Sequence, residues 1–342
     1  MRTGPMLFFA LKGAETLGHR IAAAGGFALP LALHEEREFG MGEHKARPLV
    51  DVRGAEVVVL AALQGGAGMS VNDRLIRLLF FVAACRDHGA ARVTALLPYL
   101  PYARKDRRTK ARDPISSRYL AQLVEAMGPD DVLTLDVHNP AAFENAFRCR
   151  AQALTAVDLF AADIAGRSAT DGRPVTIMSP DPGGVNRAQL LREALQEVTG
   201  RDIGFAFLEK RRSAGRVTGD LFAGEVAGSA VHILDDMICG GGTILRAAAA
   251  ARSQGAAEVH AIVTHALFTP EAVARLSGDR TLDTLTVTDS ALPFAASTDA
   301  LSDRLRVLGS ARLFAAALRE THGEKGASGS DHPELVGVES GQ

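Results

Sequence analysis

Apolar residues recur along this chain in short unbroken runs. Each run is followed by a polar cluster and then by apolar positions at helical spacing. Val57 to Leu63 is such a run, and continuous apolarity over that length predicts a parallel strand buried on both faces. A glycine-rich break over 64–69 leads to a helix from Asn72 with Leu75, Leu78, Leu79 and Val82 on one side. The same alternation predicts strands at 92–97 and 132–137, with a helix over 115–127 between them. After a blurred stretch around 150–172 it restarts, with strands at 175–178, 203–208, 231–234 and 259–264 and helices at 185–197 and 244–254. Strands at 284–287 and 305–308 and a final helix near 310–320 complete it. Residues 5–33 read as strand, helix and strand, and the densely charged segment Glu35 to Arg47 as an exposed loop or hairpin. The Pro98-Tyr99-Leu100-Pro101-Tyr102 segment cannot be helical.

Strands alternating with helices through both halves predict an α/β fold with parallel sheets flanked by helices. The expected division is 5–155, 156–308, a closing helix at 309–320 and a disordered tail over 321–342, where little is available to bury. In such sheets ligands bind beyond the carboxyl ends of the strands. Every polar cluster described below follows a predicted strand.

Composition narrows the picture. The 342 residues are 47% hydrophobic with a formal net charge of −2, which suits globular domains and gives no sign of a nucleic-acid or membrane partner. Cys85, Cys149 and Cys239 have neither the count nor the spacing of a disulfide framework or a zinc site, so a reducing cytoplasm is the expected location. No secretory leader pattern and no apolar run near the roughly 18 residues of a membrane span is present.

The central stretch runs Val231-His232-Ile233-Leu234-Asp235-Asp236-Met237-Ile238-Cys239-Gly240-Gly241-Gly242-Thr243. Glycines before a helix expose backbone amides to a phosphate, and the carboxylates suit sugar hydroxyls; an ordinary acidic strand-to-helix turn is the alternative. The basic segment Arg104 to Arg112 sits where guanidinium groups at a ligand edge would meet phosphates, although a solvated charged turn has the same composition. His138 and Asp181 each follow a strand and are candidates for a Mg²⁺ environment. Lys210 and Arg212 are either surface charge or cations for a phosphoryl transition state. No GxxxxGK[ST] loop occurs, so ATP, if used, is held without a P-loop.

Together these motifs resemble the ribose-phosphate diphosphokinases, also called phosphoribosyl-pyrophosphate synthetases, from about Leu7 to His322. The resemblance is carried by Ser70-Val71-Asn72-Asp73, Ala103-Arg104-Lys105-Asp106-Arg107-Arg108, Leu135-Asp136-Val137-His138, Ser179-Pro180-Asp181-Pro182-Gly183-Gly184, Glu209-Lys210-Arg211-Arg212, Asp235-Asp236-Met237-Ile238 and Thr264-His265-Ala266-Leu267-Phe268, in family order. It implies two pseudo-symmetric phosphoribosyltransferase-like domains, commonly assembled as dimers building a hexamer. It also implies transfer of a diphosphoryl group from ATP to the C1 hydroxyl of ribose 5-phosphate, leaving AMP. Carried onto this chain, Phe39, Met41, Gly42 and Glu43 stand at the adenine hairpin, with Arg104 and Lys105 completing the ATP side. His138 and Asp181 become magnesium residues, and Lys210 and Arg212 the catalytic cations on a closing loop around 211–219. Asp235, Asp236, Cys239, Gly240, Gly241, Gly242 and Thr243, with Arg212, become the ribose 5-phosphate site.

Four positions depart from the family pattern. Lys105 replaces a customary Gln, Met41 an Asp, and Cys239-Gly240 an Asp-Thr pair, which removes a carboxylate and a hydroxyl from the phosphate loop. Those changes leave two alternatives: a non-catalytic paralogue, or a kinase of this fold with another sugar phosphate or nucleotide.

Overall fold

The computed structural model describes residues 4–26, 30–66, 68–168, 172–213, 216–291 and 299–322, and for residues 210–220 only the backbone. These form two compact units, one made of the residues up to Leu154 with those from Ala311 onward, the other of Thr155–Ser310.

The first unit holds strands β1 (Met6–Ala10), β4 (Glu56–Leu60), β5 (Arg92–Leu97), β6 (Asp131–Leu135) and β7 (Arg150–Leu154), parallel and in the order β1-β4-β5-β6-β7. Every residue of β1, β4 and β6 is buried, which is why the interiors of these strands are dominated by apolar residues. Five helices accompany the sheet: α1 (Glu15–Gly25), α2 (Val71–Asp87), α3 (Ser116–Ala126), α4 (Pro140–Ala146) and α9 (Ala311–His322). Ser70 and Asp73 start α2 with a reciprocal capping box, the Ser70 hydroxyl accepting from the Asp73 amide at 3.2 Å and the Asp73 carboxylate from the Ser70 amide at 2.7 Å.

The charged segment is an antiparallel hairpin, β2 (His34–Glu38) with β3 (His44–Pro48), Glu38 opposite His44. It is fixed to α2 by Arg77, which is 5% exposed and lies 3.7 Å from Glu36 and 3.3 Å from Glu38. His44 also stacks on Phe80, with ring centroids 5.6 Å apart.

The second unit holds β8 (Val175–Ser179), β9 (Gly204–Ser213), β10 (Arg216–Ala223), β11 (Ala230–Ile238), β12 (Glu258–Ala266), β13 (Thr284–Thr288) and β14 (Leu305–Leu308). Their order is β10-β9-β8-β11-β12-β13-β14, and only β10 runs antiparallel to its neighbour. The helices are α5 (Val157–Ser168), α6 (Val185–Thr199), α7 (Gly242–Ser253) and α8 (Pro270–Gly278). No helix among the described residues is long and apolar enough to cross a membrane.

Several expectations change. The blurred region contains β7 and α5. Residues 30–33 are not a strand, and 27–29 lie outside the described residues. Most of the expected closing loop at 211–219 is instead the β9–β10 ladder, with 214–215 outside the description. Asp235 and Asp236 lie inside β11 and not beyond it.

The final helix extends through Thr321 and His322, which the tail was expected to include. His322 is anchored there: its Nδ1 lies 2.5 Å from Glu56 Oε2 and its Nε2 3.1 Å from Thr94 Oγ1. Arg92 grips Asp131 with two bonds of 2.6 and 2.8 Å and donates to the Thr321 carbonyl. The polar residues that open β4 and β5 are thus met by the last turn of α9, and Asp131 at the start of β6 by Arg92. The rest of the tail, 323–342, lies outside the described residues.

Candidate active site

In the first unit, three loops leave the carboxyl ends of β4, β5 and β6. The β5 loop, 98–115, carries the basic segment. Asp113 organises it by accepting from the Lys105 ammonium at 2.6 Å, the Thr109 hydroxyl at 2.7 Å, and the Thr109 and Lys110 amides at 3.1 and 3.0 Å. The Lys105 and Thr109 contacts hold the Asp113 carboxyl well below the usual carboxylate range. The loop is tied to its neighbours as well. Tyr102 donates to Asn72 at the start of α2, and Asn139 donates to Asp106 at 2.6 Å.

Asn139 is also the N-cap of α4, and His138 stands exposed beside it. The Asp106–Asn139 bond therefore brings the basic loop and the His138 loop together. Arg104 is exposed, whereas Lys105 is committed to Asp113 inside the loop. Among the described residues, the non-glycine residues with positive φ are Tyr102, Arg112 and Asp136, all in these two loops. Strain of that kind persists only where surrounding bonds impose it, and it gathers at functional sites.

Phe39, Met41, Gly42 and Glu43 form the tip of the β2–β3 hairpin, closed by Phe39 and Glu43 backbone pairing at 2.7 Å. The tip projects its side chains outward: Phe39 is 41% and Met41 93% exposed, and the Arg37 guanidinium lies 5.4 Å from the Phe39 ring centre.

In the second unit, Asp181 follows β8. One of its oxygens accepts from the Gly183 and Gly184 amides at 2.9 and 3.2 Å, which fixes the carboxylate at the start of a short 3-10 turn. The backbones of Lys210 and Arg212 lie on β9 opposite Asp220 and Val217; their side chains lie outside the description.

Near the end of β11, the half-buried Asp235 and the buried Asp236 share Arg187 from α6, whose Nη1 is 3.9 Å from Asp235 and 3.4 Å from Asp236. Burial and the adjacent Asp236 push the Asp235 carboxyl well above the usual range, against the pull of Arg187. Two carboxylates with one guanidinium between them remain good acceptors for vicinal hydroxyls.

Directly after this strand, Cys239 to Gly241 turn into the N-terminus of α7. Gly241 is its N-cap with φ of 74°, a left-handed conformation that calls for glycine. A side chain added at Gly240 would meet nothing within 4 Å. The open loop is braced from α8: Arg275 donates to the Gly240 carbonyl at 2.9 Å, and the Thr269 amide donates to the Cys239 carbonyl at 3.2 Å. Amides at a helix start with a guanidinium alongside can hold a phosphate.

Magnesium suits part of this donor set. It takes hard oxygen ligands and keeps several waters, so one carboxylate such as Asp181 with ligand phosphates fits, while the imidazole of His138 is better matched to a coordinated water. No group of three or more His, Cys, Asp or Glu arranged to hold a metal occurs among the described residues.

Sequence reasoning missed Arg187, Arg275, Asp113 and Asn139. Two adjacent carboxylates, each at least half-buried, call for a cation, so a partner for Asp235 and Asp236 was foreseeable. Arg275 carries no local signal, because only the packing of α8 brings it to the loop.

Known proteins resemble this chain in sequence and fold. The N-terminal domain of ribose phosphate pyrophosphokinase matches residues 6–128, and the phosphoribosyl transferase domain matches residues 151–282. The ribose-phosphate pyrophosphokinase of Granulibacter bethesdensis is 35% identical over 324 residues, 94% of this chain and 99% of its own. That of Brucella melitensis is also 35% identical over 324 residues, with the same coverage. The crystal structure of phosphoribosylpyrophosphate synthetase from Mycobacterium smegmatis superposes with a TM-score of 0.81 at 28% identity, over 93% of this chain and 99% of its own.

Proposed function

Because the chain belongs to the ribose-phosphate pyrophosphokinase family, we propose that it transfers the diphosphoryl group of ATP to the C1 hydroxyl of ribose 5-phosphate, giving 5-phosphoribosyl 1-diphosphate and AMP. The observation that carries this reading is the continuity of β11 with its loop. An acidic pair runs directly into a glycine-rich helix start, so sugar hydroxyls and a phosphate would be held by one continuous segment.

In this reading the amides of Gly240 to Thr243 hold the 5-phosphate and Arg275 keeps their carbonyl side in place. Asp235 and Asp236 accept from the ribose hydroxyls, with Arg187 limiting their mutual repulsion. On the ATP side Arg104 contacts phosphate, and Lys105 acts through Asp113 on the shape of the loop. Phe39, Met41, Gly42 and Glu43 form the adenine hairpin. Their outward exposure supports service to a neighbouring subunit in a homo-oligomer of dimers building a hexamer.

The C1 oxygen attacks the β-phosphorus in line. The new C1–O–Pβ linkage forms as the bond from Pβ to the bridging oxygen breaks, AMP departs with that oxygen, and the hydroxyl proton passes to solvent. Lys210 and Arg212 offset the charge that builds on the transferring phosphoryl oxygens. Magnesium, held by Asp181 and water near His138, supplies charge neutralisation of the triphosphate when bound. The retained acidic pair and the glycine-rich helix start support catalysis over a silent paralogue, and the three free cysteines support a cytoplasmic location.

The test is AMP release by purified protein with ATP, Mg²⁺ and ribose 5-phosphate. Activity far above a Lys210→Ala control is expected. Release no faster than that control would remove the assignment.

A further inference from the structure

A second polar cavity lies at the opposite end of the second unit's sheet. It opens where β11 and β12 begin, and its volume is about 210 Å³. Arg167 from the last turn of α5, Arg173 ahead of β8, His232 on β11, and Glu258 and His260 on β12 line it. His232 precedes Cys239 by seven residues, roughly 23 Å of extended strand, so this cavity is not an extension of the phosphate loop.

The two histidines are strand neighbours with stacked rings, 4.8 Å between centroids. They differ in their bonding. His260 is satisfied at both nitrogens, by Thr284 Oγ1 at 2.8 Å and Glu258 Oε2 at 3.2 Å. His232 is 3% exposed, and its Nδ1 is buried with no hydrogen-bond partner among the described residues. Arg167 Nε is in the same condition. Two unmatched buried nitrogens on residues that line one cavity are unusual, because buried polar groups almost always find partners.

The charge around the cavity favours an anion. Arg173 is paired with Glu258 at 2.6 Å. Asp163 is shared between Arg167 at 2.9 Å and Arg306 at 2.6 Å. Among the described residues that line the cavity, the guanidinium groups of Arg167 and Arg173 stand against the single carboxylate of Glu258. Burial, with the nearby His260 and Arg167 charges, lowers the His232 pKa, so the ring is neutral and able to donate from one nitrogen in the tautomer an acceptor selects. The volume lies below the roughly 300–1,000 Å³ of sites for drug-sized ligands, which points to something of a few heavy atoms.

We propose that this cavity is a second anion site, in which Arg167 and His232 bind a small phosphoryl oxyanion, either free phosphate or the phosphoryl group of a small ester.

Calorimetric titration of the full-length protein with inorganic phosphate tests it. Two classes of site are expected, and one is expected to weaken at least tenfold in both His232→Gln and Arg167→Gln. Protection of Cys239 from alkylation by ribose 5-phosphate, a readout of the other site, should be unchanged in both variants. If Arg167→Gln does not fold, His232→Gln decides alone, since His232 gives up no hydrogen bond of Nδ1. Glycerol 3-phosphate distinguishes the sources: competition at the variant-sensitive site assigns an ester's phosphoryl group, and binding of phosphate alone assigns the free ion. Phosphate titrations identical in wild type and both variants, as for a cavity holding only water, would overturn the proposal.

Discussion

Alkylation of the three cysteines offers a direct probe of the phosphate loop. Burial pushes the Cys85 thiol up to about 12, and burial with the Glu125 carboxylate pushes Cys149 up to about 11. At pH 8 about one Cys149 in 1,000 and one Cys85 in 10,000 is then a thiolate, against about one in four for a solvent thiol near 8.5. Cys85 is also sterically enclosed. Cys239 is half-buried on the loop before α7 and reachable by reagent. Iodoacetamide should therefore modify Cys239 faster than Cys149. Ribose 5-phosphate at ten times its dissociation constant should slow that reaction about elevenfold, because only unliganded protein reacts. Peptide mass spectrometry over a time course measures both ratios. Equal rates at Cys149 and Cys239, or a Cys239 rate indifferent to ribose 5-phosphate, would refute the placement of the sugar phosphate on this loop.

Other outcomes follow from the same contacts. Arg275→Ala removes the brace on the Gly240 carbonyl, about 1–1.5 kcal/mol for a bond to a charged donor at an exposed site, so KM for ribose 5-phosphate should rise roughly five- to tenfold with kcat and the KM for ATP unchanged; Arg275→Lys should recover part of it. Gly240→Thr has room for its side chain and restores a hydroxyl, so the same KM should fall; a rise would show that the open loop is required. His322→Ala leaves the buried Glu56 without its imidazole and should cost about 2–4 kcal/mol of first-unit stability, read by urea unfolding with tyrosine fluorescence, since Tyr99, Tyr102 and Tyr119 all lie in that unit. A loss under about 0.5 kcal/mol would contradict the network. Burial depresses both His232 and His260, so the unfolded chain binds protons that the native state refuses. Second-unit stability should therefore be full above pH 6.5 and fall on acidification below it, by up to about 1.4 kcal/mol per pH unit for each histidine. Hydrogen exchange in β11 and β12 peptides reports it, and His232→Gln should flatten the slope.

The central strands were legible because parallel strands covered on both faces become apolar runs, unbroken at Val57–Leu60 and interrupted only by Thr134 at Val132–Leu135. The hairpin followed from its charge. The helix starts at Asn139-Pro140 and Thr269-Pro270 were readable too, since a capping residue before proline marks a first turn, yet neither α4 nor α8 was anticipated. The β9–β10 ladder was hidden by a charged, glycine-containing composition that suggests a loop. Other features depend on partners distant in sequence. Asp235 and Asp236 stay within a strand because Arg187 reaches them from α6, and His322 leaves the polar tail because Glu56 and Thr94 wait at the starts of β4 and β5. Among site residues, the motif positions were legible one by one. What holds them was not: Asp113 behind Lys105, Asn139 joining His138 to the basic loop, and Arg275 behind Gly240.

The most direct test of diphosphoryl transfer is a phosphorus NMR time course of the protein with ATP, Mg²⁺ and ribose 5-phosphate in one tube. AMP and a sugar C1 diphosphate should appear together in a one-to-one ratio as ATP disappears. Formation of ADP with a singly phosphorylated product, or AMP without the C1 diphosphate, would contradict it.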